Sequence, residues 1–245
     1  MNLLNKREKS ILCGLYLSKF SEEGLKVLGF SSYTEAFNVL GFAVGAKPAS
    51  IKNYRDELDP FFPNTRVGWH DRPLREHCRL IYEQYKDWDL ASLRMLISKQ
   101  TEETLEIDDA EATKDTDSFA KRLITGRAAE SYFVENYKNE YVFSETELTD
   151  VTQTGCGFDF KLQSKENGNF FAVEVKGMRS RKGQIAFTDK EHRVAEIMGN
   201  TFFLYVVKNF NESPFAENIR NPLATSLHFD RIERRVIQVS WSAKL

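Results

Sequence analysis

The sequence predicts an α/β protein, more strictly α+β, with a mostly helical N-terminal half and a mixed β-sheet in the C-terminal half. Apolar residues recur at helical spacing through most of the first hundred residues. Two short apolar stretches that carry charged residues, 157–160 and 171–176, lie on either side of a glycine-containing turn. A continuous apolar run at 201–207 has the composition of a strand that is buried on both faces.

Composition limits the classes of protein that this chain can represent. At 245 residues with 41% hydrophobic content, the chain has room for one large domain or two modest ones, each with a real core. A net charge of -2 excludes a highly basic DNA-coating protein, although a local basic surface remains compatible with a polyanionic partner. Cys13, Cys78 and Cys156 are far apart and form no CxxC pair, which favours reduced thiols over a zinc site or a disulfide framework.

Helical spacing predicts five helices in the first half. Gly45 and Pro48 mark a turn between the second and third of them, Ser50 is the expected N-cap of the third, and Pro60 is expected to end it. Asp89 is the expected cap of the last. The predicted helices cover residues 10–19, 33–44, 51–58, 74–85 and 90–98.

The second and third helices, with their tight turn, have the outline of a helix-turn-helix. Lys52, Asn53 and Arg55 are expected on its outward face, where Lys and Arg suit phosphates and guanine edges and Asn suits adenine. An ordinary solvated helix face explains the same pattern. The DNA-binding candidates of this half are Lys47, Ser50, Lys52, Asn53, Arg55, Arg66 and Arg72.

The segment 61–73 is rich in turn formers, aromatic residues and arginine. It is compatible with a nucleic-acid contact and equally with a packed loop anchored by Trp69. His70 and Asp71 raise the alternative of a histidine-metal nuclease. The other histidines do not have the spacing of such a site, so His70 is expected to be structural or to lie at a DNA surface.

Acidic residues concentrate between 102 and 117, a stretch with few apolar residues that predicts a solvated linker. The expected organisation is a helical DNA-recognition domain at 1–100, an acidic linker at 101–117 and a second domain at 118–245. No stretch resembles a signal peptide or is long enough to cross a bilayer, so a soluble, cytoplasmic protein is expected.

The second domain begins with a predicted helix at 119–137. The turn at 165–169 predicts that the strands on either side of it are antiparallel neighbours. Thr188 and Glu191 have the spacing of a capping box at the start of a second helix, which Gly199 ends. The first predicted strand begins at 141–143, and the others cover residues 157–162, 170–176, 201–207 and 236–241.

Three charged residues interrupt the apolar strands around that turn, namely Asp159, Glu174 and Lys176. Burying a carboxylate is costly unless it is paired or bound to a cation. Glu174 and Lys176 are two residues apart and therefore face the same side of their strand, whereas Val175 faces the other side. Two carboxylates that converge with one ammonium group form a set of hard oxygen ligands of the kind that Mg²⁺ prefers.

This arrangement resembles the signature of the PD-(D/E)xK nuclease superfamily. The resemblance covers roughly the second half of the chain. This half is similar to the restriction-endonuclease-like branch of the superfamily, which includes many C-terminal domains of unknown function in bacterial proteins. It starts with the Gly-Arg-Ala-Ala-Glu stretch at 126–130, continues through Asp159 and the Glu-Val-Lys triplet, and extends to 187–191 and 202–207. Phe158 stands where the classical motif has proline.

The resemblance implies a restriction-endonuclease-like core and a Mg²⁺-dependent endonuclease that hydrolyses double-stranded DNA at a specific site, as type II restriction enzymes do. Mn²⁺ is expected to substitute for Mg²⁺. Lys176 is expected to orient the attacking water. Glu130 is implied to point at the metal from the preceding helix, although an exposed helix glutamate explains its position as well. The implied catalytic residues are Asp159, Glu174, Lys176 and Glu130, and the implied metal ligands are Asp159, Glu174, Val175 and Glu130.

Arg179, Arg181 and Lys182, which follow the Glu-Val-Lys strand, are candidates for contacts to the DNA backbone. Cutting two strands requires either a homodimer or one site that acts twice. A restriction enzyme would also have a cognate methyltransferase that acts on the same site. The alternatives are a modification-dependent nuclease, a DNA-repair nuclease, and an inactive DNA-binding protein with a nuclease fold.

Overall fold

The computed structural model describes residues 4–66, 68, 72–101, 116–165 and 169–233, with the backbone alone for residues 116–123. Several expectations lie outside these residues. They concern Trp69, His70, the acidic segment at 102–115, the tip of the turn at 166–168 and the strand predicted at 236–241.

The helical half contains five α-helices in its described residues, as the sequence predicts. Most of their predicted bounds agree within a few residues. α1 begins earlier than predicted because Asn5 and Glu8 form a capping box at its start, and beyond the predicted end it continues to Val27 across a kink at Ser21. The buried residues Ile11, Leu12 and Leu15 make α1 the centre of this half. The helices are α1 (Lys6–Val27), α2 (Tyr33–Ala43), α3 (Pro48–Leu58), α4 (Glu76–Tyr85) and α5 (Leu90–Thr101).

Of the two helix N-caps predicted in this half, one is confirmed and the other is wrong. The Asp89 carboxylate accepts a hydrogen bond from the backbone N–H of Ser92 at 2.7 Å, so the predicted cap of α5 is confirmed. The prediction that Ser50 caps α3 is wrong. That helix begins three residues earlier than predicted because Pro48 occupies its first turn, where proline fits, and Lys47 precedes it.

The C-terminal half forms a five-stranded mixed sheet in the order β1-β2-β3-β4-β5. The predicted antiparallel pairing of the two strands around the turn is confirmed, and β3 and β4 are parallel, whereas the outer pairs are antiparallel. The strands are β1 (Thr146–Asp150), β2 (Phe160–Ser164), β3 (Phe170–Gly177), β4 (Phe202–Lys208) and β5 (Phe215–Arg220).

The first strand does not begin at 141–143 as predicted, because those residues form a 3-10 turn, and β1 begins only at Thr146. Tyr141 is 96% exposed and only Phe143 is buried, so this aromatic stretch never enters the sheet. The edge strand β5 is absent from the prediction, and β1 lies wholly after the predicted start. Their sequences, Thr-Glu-Leu-Thr-Asp and Phe-Ala-Glu-Asn-Ile-Arg, are polar because each pairs on one side only.

One helix lies against each face of the sheet. α6 (Thr116–Asn136) places Phe133 against Phe160 and Tyr205, with ring centroids 4.9 and 4.8 Å apart. α7 (Asp189–Met198) places Ala195 beside Ala172 on the opposite face. The capping box of Thr188 and Glu191 at the start of α7 is confirmed. The alternation of side chains along β3 therefore separates an α6 side from an α7 side.

The helical half packs against the sheet half through α2. Phe42 contacts Tyr132 and Phe210 edge-on, with ring centroids 5.2 and 6.2 Å apart. The Asn38 side-chain amide donates hydrogen bonds to the backbone carbonyls of Phe210 and Glu212 at 2.8 and 2.9 Å. The division into two domains with an acidic linker stays a prediction, since most of the linker lies outside the described residues.

No described helix has both the length and the apolar character that a bilayer crossing requires. The three cysteines carry free thiols, and burial raises the pKa of the Cys13 thiol to about 12.

Candidate active site

Asp159 is fixed in the sheet immediately before β2. Its backbone N–H donates to the Val173 carbonyl at 3.0 Å, and its own carbonyl accepts from the Val151 N–H at 2.9 Å. Its side chain is fixed as well, because the Val175 N–H donates to Asp159 Oδ2 at 2.8 Å. The carboxylate therefore lies against the part of β3 that carries Glu174 and Lys176.

Gly157 provides the backbone conformation that leads the chain into Asp159. Its φ of 94° is in the left-handed region that favours glycine. A Cβ at this residue would also lie 2.8 Å from Val194 Cγ2 on α7. A larger residue would strain the backbone and push α7 away from the site.

Glu174 and Lys176 share one side of β3, as their spacing predicts. Glu174 is only 3% exposed, and its Oε1 lies 2.6 Å from Lys176 Nζ. Val175, between them, belongs to the buried core on the α6 side of the sheet, as expected. A buried carboxylate and a partly buried ammonium group are thus paired beside Asp159.

Lys176 has a second acidic partner that the sequence analysis used only as a helix cap. Its Nζ donates to Glu191 Oε2 at 2.9 Å, and it lies 5.7 Å from the centroid of the Phe187 ring. The capping-box spacing was visible in the sequence. The proximity of α7 to β3, which gives Glu191 this second contact, depends on the tertiary structure.

Glu130 reaches the same site from α6. Arg127 Nη1 donates to Glu130 Oε2 at 3.1 Å. Burial raises the pKa of Glu130, Arg127 opposes that rise, and the charges of Asp150 and Lys176 also act on it. The charge of Glu130 in turn raises the pKa of Asp159, and the Glu130 side chain is 22% exposed.

The carboxylates of the site are poorly stabilised as anions. Burial and then the charge of Glu130 raise the pKa of Asp159 to about 7. Burial and then the charge of Asp159 raise the pKa of Glu174 well above its ordinary value. Burial alone would lower the pKa of Lys176, but Glu174 and Glu191 outweigh burial and raise it. Lys176 is therefore a permanent ammonium ion when the site holds no metal.

The donor set fits a hard divalent cation. Glu130, Asp159 and Glu174 offer oxygen ligands in a site whose excess negative charge is reflected in the raised pKa values. Within the described part of the chain, however, no three His, Cys, Asp or Glu side chains already stand at mutual distances suited to a metal. Val175 lies between Glu174 and Lys176 on β3, where its backbone would border such a site.

Two of the basic residues expected to contact DNA are held inside the protein. The outward orientation predicted for Arg55 is wrong, because its guanidinium pairs with Asp56 and lies 4.8 Å from the Tyr33 ring centroid. Arg66 donates to both carboxylate oxygens of Asp59, a residue that is 2% exposed, and to the Ser18 carbonyl. Both arginines are structural parts of the helical half.

The remaining basic candidates are accessible to different degrees. Arg179 pairs with Glu35 at 3.1 Å, and Arg181 lies 3.6 Å from Glu212. These two residues follow β3 and already have acidic partners. Those with exposed side chains are Lys47, Lys52, Asn53, Arg72 and Lys182, whereas Ser50 is half-buried.

A family model described as "Protein NO VEIN, C-terminal" matches residues 129–219. The matched span runs from α6 into β5 and contains Glu130, Asp159, Glu174 and Lys176. No curated protein and no solved structure matches the chain. The similarity thus falls on the part of the chain that carries the candidate site.

Proposed function

We propose that this chain is a Mg²⁺-dependent DNA endonuclease of the PD-(D/E)xK type that hydrolyses phosphodiester bonds in double-stranded DNA. The observation that carries the proposal is the convergence of Asp159, Glu174 and Lys176 from two adjacent strands, together with the charge of Glu130 on α6, which acts on Asp159. Carboxylates with strongly raised pKa values beside a partly buried ammonium group are typical of functional sites.

The chain's own residues would divide the work of hydrolysis. Asp159, Glu174 and Glu130, with the backbone of Val175, would hold Mg²⁺. A bound Mg²⁺ ion would supply positive charge to the phosphate oxygens during the displacement. The Lys176 ammonium group would orient the attacking water and offset negative charge on the phosphate. Because its pKa is raised, Lys176 is a donor in this arrangement and does not remove a proton.

The helical half would supply DNA recognition. α2 and α3 are joined by a four-residue turn in which Gly45 has a φ of 67°. Lys52 and Asn53 are exposed on α3, and Lys47 precedes it. Exposed Lys and Asn side chains on such a helix fit a sequence-specific restriction endonuclease, because lysines bind phosphates and a helix of this size enters the major groove.

The test is cleavage of supercoiled plasmid by purified protein with Mg²⁺, with Mn²⁺, and with a chelator. Wild type is expected to cleave with either metal and to stop when the chelator is added. Asp159→Ala is expected to be inactive. Glu147→Gln, which alters a carboxylate that is 73% exposed on β1, is the matched control and should cleave as wild type does.

The products distinguish the type of nuclease. Discrete bands from unmethylated plasmid indicate site-specific restriction, and cleavage of methylated DNA alone indicates a modification-dependent enzyme. Cleavage limited to damaged or branched DNA indicates repair. Tight DNA binding without cleavage under any metal would refute the catalytic proposal and identify a DNA-binding protein with a nuclease fold.

A further inference from the structure

Glu191 joins two structural roles in one oxygen atom. Its Oε2 accepts a hydrogen bond from the Thr188 backbone N–H at 2.9 Å and another from Lys176 Nζ at 2.9 Å. The Thr188 hydroxyl accepts in return from the Glu191 N–H at 3.2 Å. The side chain is only 16% exposed. The capping box at the start of α7 therefore fixes the carboxylate that Lys176 contacts.

Lys176 lies between two carboxylates that differ in their expected role. Glu174 approaches its ammonium group to 2.6 Å from β3, and Glu191 approaches it to 2.9 Å from α7. Glu174 is a proposed metal ligand, so the cation and the ammonium group compete for its oxygens. Glu191 is anchored to the backbone of its own helix, and its contact with Lys176 does not depend on the oxygens of Glu174.

Packing around Lys176 makes this second contact necessary. The Lys176 side chain is 21% exposed and lies beside the Phe187 ring. A flexible lysine loses rotamer entropy when it is held in one orientation. A single acidic partner fixes a flexible ammonium group poorly. Two partners on different elements define its direction.

We propose that Glu191 is a positioning residue, which holds the Lys176 ammonium group in its productive place through an ion pair that is independent of the metal ligands. The inference rests on the proposed nuclease function, since it assigns Glu191 to that site. Glu191 has no contact with substrate in this role and acts only through Lys176. A group that orients a catalytic residue in this way is worth roughly 10- to 100-fold in activity.

Two substitutions separate positioning from helix capping. Glu191→Gln keeps an oxygen that accepts the Thr188 N–H, because glutamine serves equally in a capping box, but removes the charge that pairs with Lys176. Thr188→Ala removes the other half of the box and keeps that charge. Glu191→Gln is expected to lower the single-turnover cleavage rate at saturating DNA and Mg²⁺ by roughly 10- to 100-fold. Its DNA dissociation constant should not change.

Thr188→Ala is expected to lower the melting temperature and to leave the cleavage rate within about twofold of wild type, since the absence of a cap mainly destabilises the helix. Mn²⁺ binding, measured by electron paramagnetic resonance at a pH well above the Asp159 pKa of about 7, should be unchanged in Glu191→Gln and abolished in Asp159→Asn. An unchanged rate in Glu191→Gln would overturn the inference, as would an equal decrease in Thr188→Ala. Loss of Mn²⁺ binding in Glu191→Gln would identify Glu191 as a ligand and also overturn it.

A measurement without DNA keeps the inference separate from the proposed function. Acylation of Lys176 by an amine-reactive reagent, quantified by peptide mass spectrometry, reports how firmly the ammonium group is held. Glu191→Gln is expected to speed this labelling several-fold, whereas Thr188→Ala should not. If wild type cleaves no DNA but the labelling changes as expected, the nuclease proposal fails and the positioning contact stands. Equal labelling in all three proteins rejects the contact itself.

Discussion

The backbone N–H of Val175 donates a hydrogen bond to Asp159 Oδ2 at 2.8 Å, which ties the acidic residue that precedes β2 to the middle of the Glu-Val-Lys triplet on β3. This contact lowers the pKa of Asp159, but burial and the charge of Glu130 raise it more, to about 7. The sheet therefore holds Asp159 in place without stabilising its negative charge.

Asp159→Asn is expected to stabilise the protein when no metal is present. The pKa of Asp159 in the folded protein lies above its ordinary value of 3.8, so the folded state binds the proton more tightly than the unfolded chain. Protonation of Asp159 therefore stabilises the folded state. This stabilisation is complete below pH 3.8 and disappears as the pH rises through about 7. Asparagine keeps an acceptor for the Val175 N–H and carries no charge. The gain should thus be largest above pH 7 and small near pH 4.

Thermal unfolding with a chelator checks this prediction. The expected gain is of the order of 1 kcal/mol, which is about 2–4 °C for a chain of this length. Adding Mg²⁺ should raise the melting temperature of wild type and leave that of Asp159→Asn unchanged. A lower melting temperature for Asp159→Asn above pH 7 would contradict the view that this charge is unfavourable in the empty site.

The affinity for Mg²⁺ is expected to fall as the pH drops below about 7, because the metal must displace a proton from Asp159. The charge of Glu130 is the second-largest cause of that raised pKa. Glu130→Gln should therefore move the proton release to lower pH, even though it removes one of the proposed ligands. Glu191→Gln should produce a smaller shift in the same direction, since Glu191 also raises the pKa of Asp159.

Calorimetric titration with Mn²⁺ in buffers of different ionisation enthalpy measures the number of protons released. Wild type should release close to one proton from Asp159 near pH 6 and fewer above pH 8. If Glu130→Gln releases protons over the same pH range as wild type, Glu130 does not face Asp159 in solution. Asp150→Asn is a useful control, since Asp150 acts on Glu130 and is not among the main causes of the raised pKa of Asp159.

The core of the site could be predicted from sequence because it depends on local patterns. A period of two places Glu174 and Lys176 on one side of β3, and a glycine-containing turn makes β2 its antiparallel neighbour. Contacts made by tertiary packing could not be predicted in this way. Nothing near Arg66 in the sequence indicates that it reaches Ser18 and Tyr33, and the polar edge strands β1 and β5 lack the apolar alternation that marks a strand.

Arg66→Ala is expected to destabilise the protein severely. The guanidinium donates to both oxygens of Asp59 and also to the Ser21 hydroxyl, at a point where the α1 backbone adopts a φ of 51°. Removing one partner of a buried ion pair typically costs about 3–5 kcal/mol, and the Asp59 carboxylate would keep only the Ser18 hydroxyl at 2.7 Å and the longer pair with Arg55 at 3.8 Å. Arg181→Ala, which alters a side chain that is 72% exposed, should change stability by less than about 0.5 kcal/mol.

Urea unfolding followed by circular dichroism measures both variants. If Arg66→Ala unfolds at the same urea concentration as Arg181→Ala, the network around Asp59 does not support the fold. A soluble, fully stable Arg66→Ala protein with weakened DNA binding would instead restore Arg66 to the group of DNA contacts that the sequence predicts.

Lys47 and Lys52 are expected to bind DNA phosphates, since both side chains are exposed in the first half of α3 or just before it. The double variant Lys47→Ala, Lys52→Ala should weaken DNA binding by a similar factor for all sequences. Removing one lysine–phosphate interaction should reduce the slope of log affinity against log salt concentration by about 0.9, so removing two should reduce it by about 1.8. Fluorescence anisotropy over a range of salt concentrations, with a chelator to prevent cleavage, measures this slope.

Lys138→Ala, which removes a lysine from the turn after α6, is the matched control and should keep the wild-type slope. An unchanged slope in the double variant would mean that α3 presents an ordinary solvated face and that DNA is held elsewhere on the protein.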